Sequence, residues 1–384
     1  MRFLHTADWH VGRTIRGRSR LDEFATALET VVDVAIDQEV DAVLLAGDIY
    51  DQRSVTADAD RLVFETLLRL SAKEIPVVAV PGNHDSAVRL DALAPLLERI
   101  GTRVAARVRR PSEGGIVEIG ARDGAQTALV ACIPFISPRR FSDASGLFDD
   151  LGQGYVDFDE SMGRVIAAYE AAFKPDVVNV LMGHMFVGGA EPGGSEREIT
   201  IGADYAVSPT RLPKTASYVA LGHIHKPQKV KGAPGDARYC GSLFQLDFGE
   251  RGQEKSLLVV DVAPGKPPKT TQIPIHVGRK LLDVDATLDT LEEIAARVGD
   301  AYLRVNLSID QPLPGIADRV REVLPNALDV RPVLPERESE PQKLSLRGLS
   351  PREQFTSYYA AAHEADPPET VLAAFDRIYD EVTA

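Results

Sequence analysis

Five short motifs carry the residues best able to do chemistry: Asp8-x-His10, Gly47-Asp48, Gly82-Asn83-His84-Asp85, Gly183-His184 and Gly222-His223-x-His225. Two divalent cations ~3.5–4 Å apart clamp a phosphodiester, activate a water and stabilise the leaving oxygen. They need a bridging anion between them, and Asp48 is the candidate. Asp8, His10 and one histidine of the last motif would complete one cation site. Asn83, His184 and the other histidine would complete the second. Mixed imidazole, carboxylate and amide donors favour Mn²⁺, Fe²⁺ or Zn²⁺ over the hard cations Mg²⁺ and Ca²⁺. The absence of cysteine ligands argues against a structural zinc site.

Spacing supports convergence. Residues i and i+2 of an extended segment point the same way, so Asp8/His10 and His223/His225 can each reach one cluster. His84 adjoins a ligand, so its side chain is expected to face the phosphate and stabilise charge or protonate the leaving group. Asp85 could orient His84 from behind, and Asp51 could do the same for His10 or a bound water. Both acids could equally cap loops.

Each motif closes an apolar run: Met1–Leu4, Ala42–Gly47, Val77–Gly82, Val177–Gly183 and Tyr218–Gly222. Such runs read as buried strands, and ligand sites of α/β sheets form at strand carboxyl ends. Helical spacing appears between them, as in Leu21, Phe24, Leu28, Val31, Val32 and Ala35, and again over 56–71, around Pro95 and over 159–173. Alternation over the first ~250 residues predicts an α/β fold. Pro264–Pro268 punctuates the chain. Strands at 281–284, 302–309 and 328–333, with helices at 288–298 and 316–324, then predict a compact α+β unit. A Pro- and charge-rich linker follows. The tail holds two short helical patterns with Phe355, Tyr358, Tyr359, Phe375 and Tyr379, which either dock back on the body or anchor a partner.

Bulk properties set limits. The chain has 384 residues, 26% charged and 44% hydrophobic, which is ordinary for a globular protein. A formal net charge of −14 excludes nucleic-acid binding by general basicity but not by local patches. Two such patches lack any acid: Arg13, Arg16, Arg18 and Arg20, and Arg99 to Arg110. Lys226, Lys229 and Lys231 follow the last motif. All could contact phosphates or simply be solvated. Cys132 and Cys240 are expected as buried free thiols. No segment approaches the ~20 apolar residues of a membrane span, and the start does not resemble a signal peptide, so a cytosolic enzyme is expected.

At these motifs the chain resembles the calcineurin-like metallophosphoesterase superfamily. The flanking sequences H-T-A-D-W-H-V-G-R (5–13), L-L-A-G-D-I-Y-D (44–51), V-P-G-N-H-D-S (80–86), A-L-G-H-I-H-K-P-Q (220–228) and Y-C-G-S-L-F-Q-L-D-F-G-E (239–250) resemble its SbcD family of nuclease subunits. That resemblance implies a two-sheet sandwich flanked by helices, with a nuclease domain at 1–270 and a small α+β capping domain for DNA contact at 277–333. It further implies a linker at 334–350 and a helical pair at 351–384 that binds an SbcC-type coiled-coil ATPase. It implies Asp8, His10, Asp48 and His225 on one Mn²⁺, and Asp48, Asn83, His184 and His223 on the other. His84 falls on the catalytic histidine. The implied activity is exonuclease and endonuclease action on DNA double-strand ends and hairpins, by a cytoplasmic, nucleoid-associated homodimer within a heterotetramer. Arg13, Arg16, Arg18, Arg20 and Lys226 are the DNA-contact candidates. Asp51 stands where some relatives carry a second active-site histidine, and Cys240 where serine is commoner. The alternative is a cyclic-nucleotide or other small phosphodiester hydrolase using the same metal constellation.

Overall fold

The structure, a computed structural model, describes residues 1–137, 158–335, 349–363 and 365–383. Its frame is a pair of six-stranded sheets. One is ordered Lys269–Ile275, Lys255–Asp261, Arg2–Thr6, Ala42–Leu45, Val77–Ala79, Thr102–Val104. The other is ordered Gln228–Lys229, Ala237–Tyr239, Tyr218–Gly222, Val178–His184, Thr127–Ile133, Ile116–Gly120. The central strands of each run parallel.

The apolar runs are continuous because both faces of these strands are covered. Phe3, Leu44 and Val78 of the first sheet pack with Val130, Val180 and Met182 of the second, forming the sandwich core. The opposite faces, such as Leu4, Val43 and Val77, pack on helices Leu21–Asp37, Ala57–Ser71 and Ala87–Glu98. Helix Phe158–Glu170 covers the outer face of the second sheet through Met162, Val165 and Ile166. The α/β sandwich flanked by helices is therefore as the sequence suggests, with four layers.

Several local expectations need correction. The helix around Pro95 starts earlier, at Ala87, because Ser86 caps it by accepting from Arg89 N at 3.3 Å. Strand Lys269–Ile275 pairs in full with Lys255–Asp261 across the Pro264–Pro268 turn, so the proline cluster closes a hairpin rather than the sheet. Its Lys, Thr and Gln side chains and Pro274 suit an edge position and hide its strand character. The arginine run folds into a small hairpin, Thr14–Ile15 with Arg18–Ser19.

Residues Leu281–Ala286, Tyr302–Ser308 and Ala327–Val333 form a parallel three-stranded sheet, crossed by helices Leu291–Val298 and Ile316–Val323. Val305, Leu307, Ile294 and Val320 make its core. It seats against the sandwich through Ile15, Phe248, Leu281 and Tyr302. Met1–Val333 is one compact unit and Leu334–Ala384 another. In the latter, helices Pro351–His363 and Glu369–Thr383 pack together with Phe355 stacked on Phe375 at 4.3 Å. Most of the expected linker, 336–348, lies outside the described residues. No described helix is long and apolar enough to cross a membrane.

Candidate active site

The carboxyl ends of strands Arg2–Thr6, Ala42–Leu45, Val77–Ala79, Val178–His184 and Tyr218–Gly222 meet at one buried place. Asp8, His10 and His184 are fully buried, and Asp48, Asn83, His223 and His225 nearly so. Close approach between the loops explains two glycines. A Cβ on Gly47 would sit 2.2 Å from the His184 ring, and one on Gly82 would sit 2.1 Å from the Asp48 carboxylate. Asp8, His10, Asp48 and His223 hold positive φ (51°, 49°, 48° and 104°), a region that side-chain-bearing residues rarely occupy. Such strain concentrates where a site over-determines the backbone.

Two donor clusters share Asp48. In one, His10 Nε2 lies 3.1 Å from His225 Nε2 and 3.5 Å from the Asp48 carboxylate. Asp8 joins His10 and His225 there. In the other, Asn83 Oδ1 lies 3.0 Å from His184 Nε2 and 2.9 Å from His223 Nδ1. Asp48 reaches His184 Nε2 at 3.3 Å.

The outer hydrogen bonds decide which ring nitrogens face inward. His184 Nδ1 donates to Ala46 O at 2.8 Å, and His223 Nε2 donates to Thr200 O at 3.0 Å. His225 Nδ1 donates to Glu250 at 2.8 Å. A neutral imidazole has one N–H, so the inner nitrogens present lone pairs. With His184 neutral, the lone pairs of three rings converge with the oxygens of Asp8, Asp48 and Asn83. Divalent cations fit that donor set, and these seven residues could hold two.

Charges at the centre show the same need. Burial pushes His184 down, but the neighbouring Asp48 carboxylate outweighs it and lifts the imidazole to about 9. Burial raises the Asp8 carboxyl to about 6, opposed by His225 and His184. Burial pushes Glu250 up, yet Lys255 and His225 hold it well below the usual carboxylate range.

His84 sits beside both clusters. Its backbone N–H donates to Asp48 at 2.8 Å, and its Nδ1 donates to the Asp51 carbonyl at 2.6 Å. That leaves Nε2 as the ring atom open to a reactant. The orienting group is thus the Asp51 backbone, while the Asp51 carboxylate lies 3.4 Å from His10 Nδ1. Asp85 does not orient His84. Its buried carboxylate accepts from Ile49 N, Tyr50 N and Gly82 N, stapling the Asp48 loop to the Asn83 loop.

Of the basic candidates, Arg13 lies by the site, 3.6 Å from Asp51 Oδ1 and bonded to Ser195 O. Lys226 is exposed and paired with Glu191 at 2.5 Å. Arg20 is the clear correction. It is 2% exposed, bonds Glu23 at 2.6 Å and Gln245 O at 2.6 Å, and lies over the Phe244 ring. No guanidinium is left there for a phosphate. Arg18 bonds Asn326 and Arg16 approaches Asp329, so both face the small domain. In the second run, Arg107 and Arg109 pair with Asp91.

The sequence reading missed Ser195, Glu196, Arg197, Thr200, Glu250 and Lys255. Glu196 accepts from His225 N at 2.8 Å, and Arg197 comes within 3.4 Å of His84 Nδ1. Glu250 closes a quoted motif, which was the only signal for any of them.

A sandwich of two sheets with a shared-carboxylate, histidine-rich centre at its strand ends defines a metallophosphoesterase. Residues 1–227 match the family described as calcineurin-like phosphoesterase, and residues 277–363 match one described as type 5 capsule protein repressor C-terminal domain. The chain is 32% identical to the SbcD subunit of nuclease SbcCD from Bacillus subtilis, over 94% of this chain and 92% of that one. It is 31% identical to the protein of the same name from Rhodobacter capsulatus, over 97% and 94%. Identity to the one from Escherichia coli K12 is 28%, over 88% and 86%. The chain belongs to the calcineurin-like phosphoesterase family and, within it, to the SbcD family of SbcCD nuclease subunits. It is a phosphodiester hydrolase that binds divalent metal.

Proposed function

We propose that the chain is a Mn²⁺-dependent DNA nuclease, cutting at double-strand ends and hairpins together with an SbcC-type ATPase in DNA repair. The observation that carries the chemistry is the placement of His84 beside two clusters joined by Asp48. When bound, the cations supply Lewis acidity and an activated water at the phosphodiester. The chain's residues do the rest. Asp8, His10, Asp48 and His225 would hold one cation, and Asp48, Asn83, His184 and His223 the other. His84, fixed through Asp51 O, offers Nε2 to the scissile phosphate or the leaving oxygen. Arg13 and Arg197 offer charge to flanking phosphates.

Likeness to proteins named as nuclease subunits supports DNA as substrate and an SbcC-type partner. On this reading residues 277–333 cap the site for DNA, and the helices of 351–384 bind the ATPase. Tyr358 and Ile378 there are 64% and 56% exposed, which suits a helix-in-groove contact. The protein works as a homodimer in the cytoplasm at the nucleoid.

The test incubates the purified chain with Mn²⁺ and linear double-stranded DNA, with and without the ATPase and ATP, and separately with cyclic nucleotides. DNA cleavage is expected. Rapid cyclic-nucleotide turnover without DNA cleavage under any condition would overturn the nuclease reading.

A further inference from the structure

Three of the ligand histidines are backed by different chemistry. His184 and His223 lean on neutral carbonyls, Ala46 O and Thr200 O. His225 leans on a carboxylate, Glu250, which is fully buried. A carboxylate behind an imidazole fixes its tautomer and raises its basicity as a ligand.

Glu250 is itself held from all sides. Oε1 accepts from His225 Nδ1 and from the Ser195 hydroxyl. Oε2 accepts from Leu246 N at 3.1 Å, Ser242 Oγ at 3.2 Å and Lys255 Nζ at 2.7 Å. Lys255 also donates to the His225 carbonyl at 2.8 Å. Ring and backbone of His225 are therefore gripped by one buried ion pair. Buried pairs cost desolvation, and this one is seated at the metal centre rather than spread through the core.

The two clusters also differ in charge. The Asp8–His10–His225 cluster has Asp8 as its own carboxylate, the Asp51 carboxylate 3.4 Å behind His10, and Glu250 behind His225. The cluster of Asn83, His184 and His223 has the neutral amide as its own donor and carbonyls bonded behind its rings, with the Asp8 carboxylate farther off, 3.9 Å from His184 Nδ1.

We propose that Glu250 is a positioning residue that locks His225 as an Nε2 ligand and makes the Asp8–His10–His225 site the tighter of two unequal cation sites. The inference rests on the two-cation reading above. Loading is then sequential: one cation resides, and the one held by Asn83, His184 and His223 exchanges.

The test is Mn²⁺ titration of the full-length protein, followed by calorimetry and by the electron paramagnetic resonance signal of the coupled Mn²⁺ pair. Wild-type protein is expected to bind in two separate steps. Glu250→Gln is expected to weaken the first step roughly 10- to 100-fold, with circular dichroism and the second step near wild type. If Glu250→Gln does not fold, Glu250→Gln/Lys255→Met removes both charges and is expected to show the same selective loss. If neither variant folds, the wild-type titration decides. Two equal sites in the wild type, or an unchanged first step in a folded variant, would overturn the proposal while sparing the two-cation reading. No Mn²⁺ binding at all would overturn both.

Discussion

Asn83 Oδ1 and His223 Nδ1 lie 2.9 Å apart although 140 residues separate them in the chain. Neither atom has a proton to give, since His223 spends its N–H on Thr200 O. Two acceptors that close need something positive beside them: without metal it is the extra proton of His184, whose Nε2 lies 3.0 Å from Asn83 Oδ1 and 3.3 Å from His223 Nδ1, and a bound cation would take its place. The relationship joins the two sheets, because Asn83 follows a strand of one and His223 a strand of the other.

Asp48 is the residue both clusters use, so its loss should act on both. Asp48→Asn is expected to reduce bound Mn²⁺ from two per chain to fewer than one and abolish hydrolysis. Metal analysis after gel filtration checks this. A variant that retains two cations would remove Asp48 from the bridge.

His84 should separate chemistry from metal binding. His84→Ala is expected to lower cleavage about 10²- to 10⁴-fold with both cations retained. Its ring lies near His10 and Asp48, so loss of a cation in that variant would instead make His84 a ligand.

Metal uptake should release a proton. Without metal His184 holds its extra proton up to about 9, because Asp48 faces it. A cation needs that nitrogen bare. At pH 7 loading is expected to release at least one proton, since Glu250 outweighs burial and raises His225 as well, and affinity is expected to rise at least about tenfold per pH unit from pH 7 until pH approaches 9. Calorimetry in two buffers of different ionisation enthalpy measures the count. Zero release would refute the assignment.

Arg20 and Arg13 should part company. Arg20→Ala strips a buried guanidinium from Glu23 and Gln245 O and is expected to cost about 3 kcal/mol in denaturant unfolding. Arg13→Ala is expected to leave stability within roughly 0.5 kcal/mol and weaken DNA binding, with a shallower salt dependence. Equal stability of the two variants would contradict the packing described.

Removing residues 350–384 should spare the metal centre, since that segment lies in a separate compact unit. Simple phosphodiester hydrolysis is expected to persist while capture of the ATPase is lost. Retained capture would move the partner surface elsewhere.

The strand-end acids and histidines were legible because each closes an apolar run beside a glycine, a local pattern. Residues behind them were not. Glu250 matters only because Lys255 and the Ser195 loop fold onto it, and no local period records that. Arg20 looked like its neighbours Arg13 to Arg18, yet its partner Gln245 lies 225 residues away. Lys269–Ile275 was obscured by its edge position, where one strand face is polar and Pro274 is tolerated. The small domain's strands and helices were readable, but their parallel pairing depends on crossovers between elements.

Asp8, His10, Asp48 and His223 all hold the backbone in a shape that glycine would adopt more cheaply, and glycine would delete the ligand. Each such position costs on the order of 1–3 kcal/mol, set against a typical net stability of about 5–15 kcal/mol. Cations bound by these four side chains would offset part of that cost, so metal binding and loop stability are expected to be linked. Removing a divalent cation from these strand ends is therefore expected to lower the unfolding temperature of the protein as well as its activity.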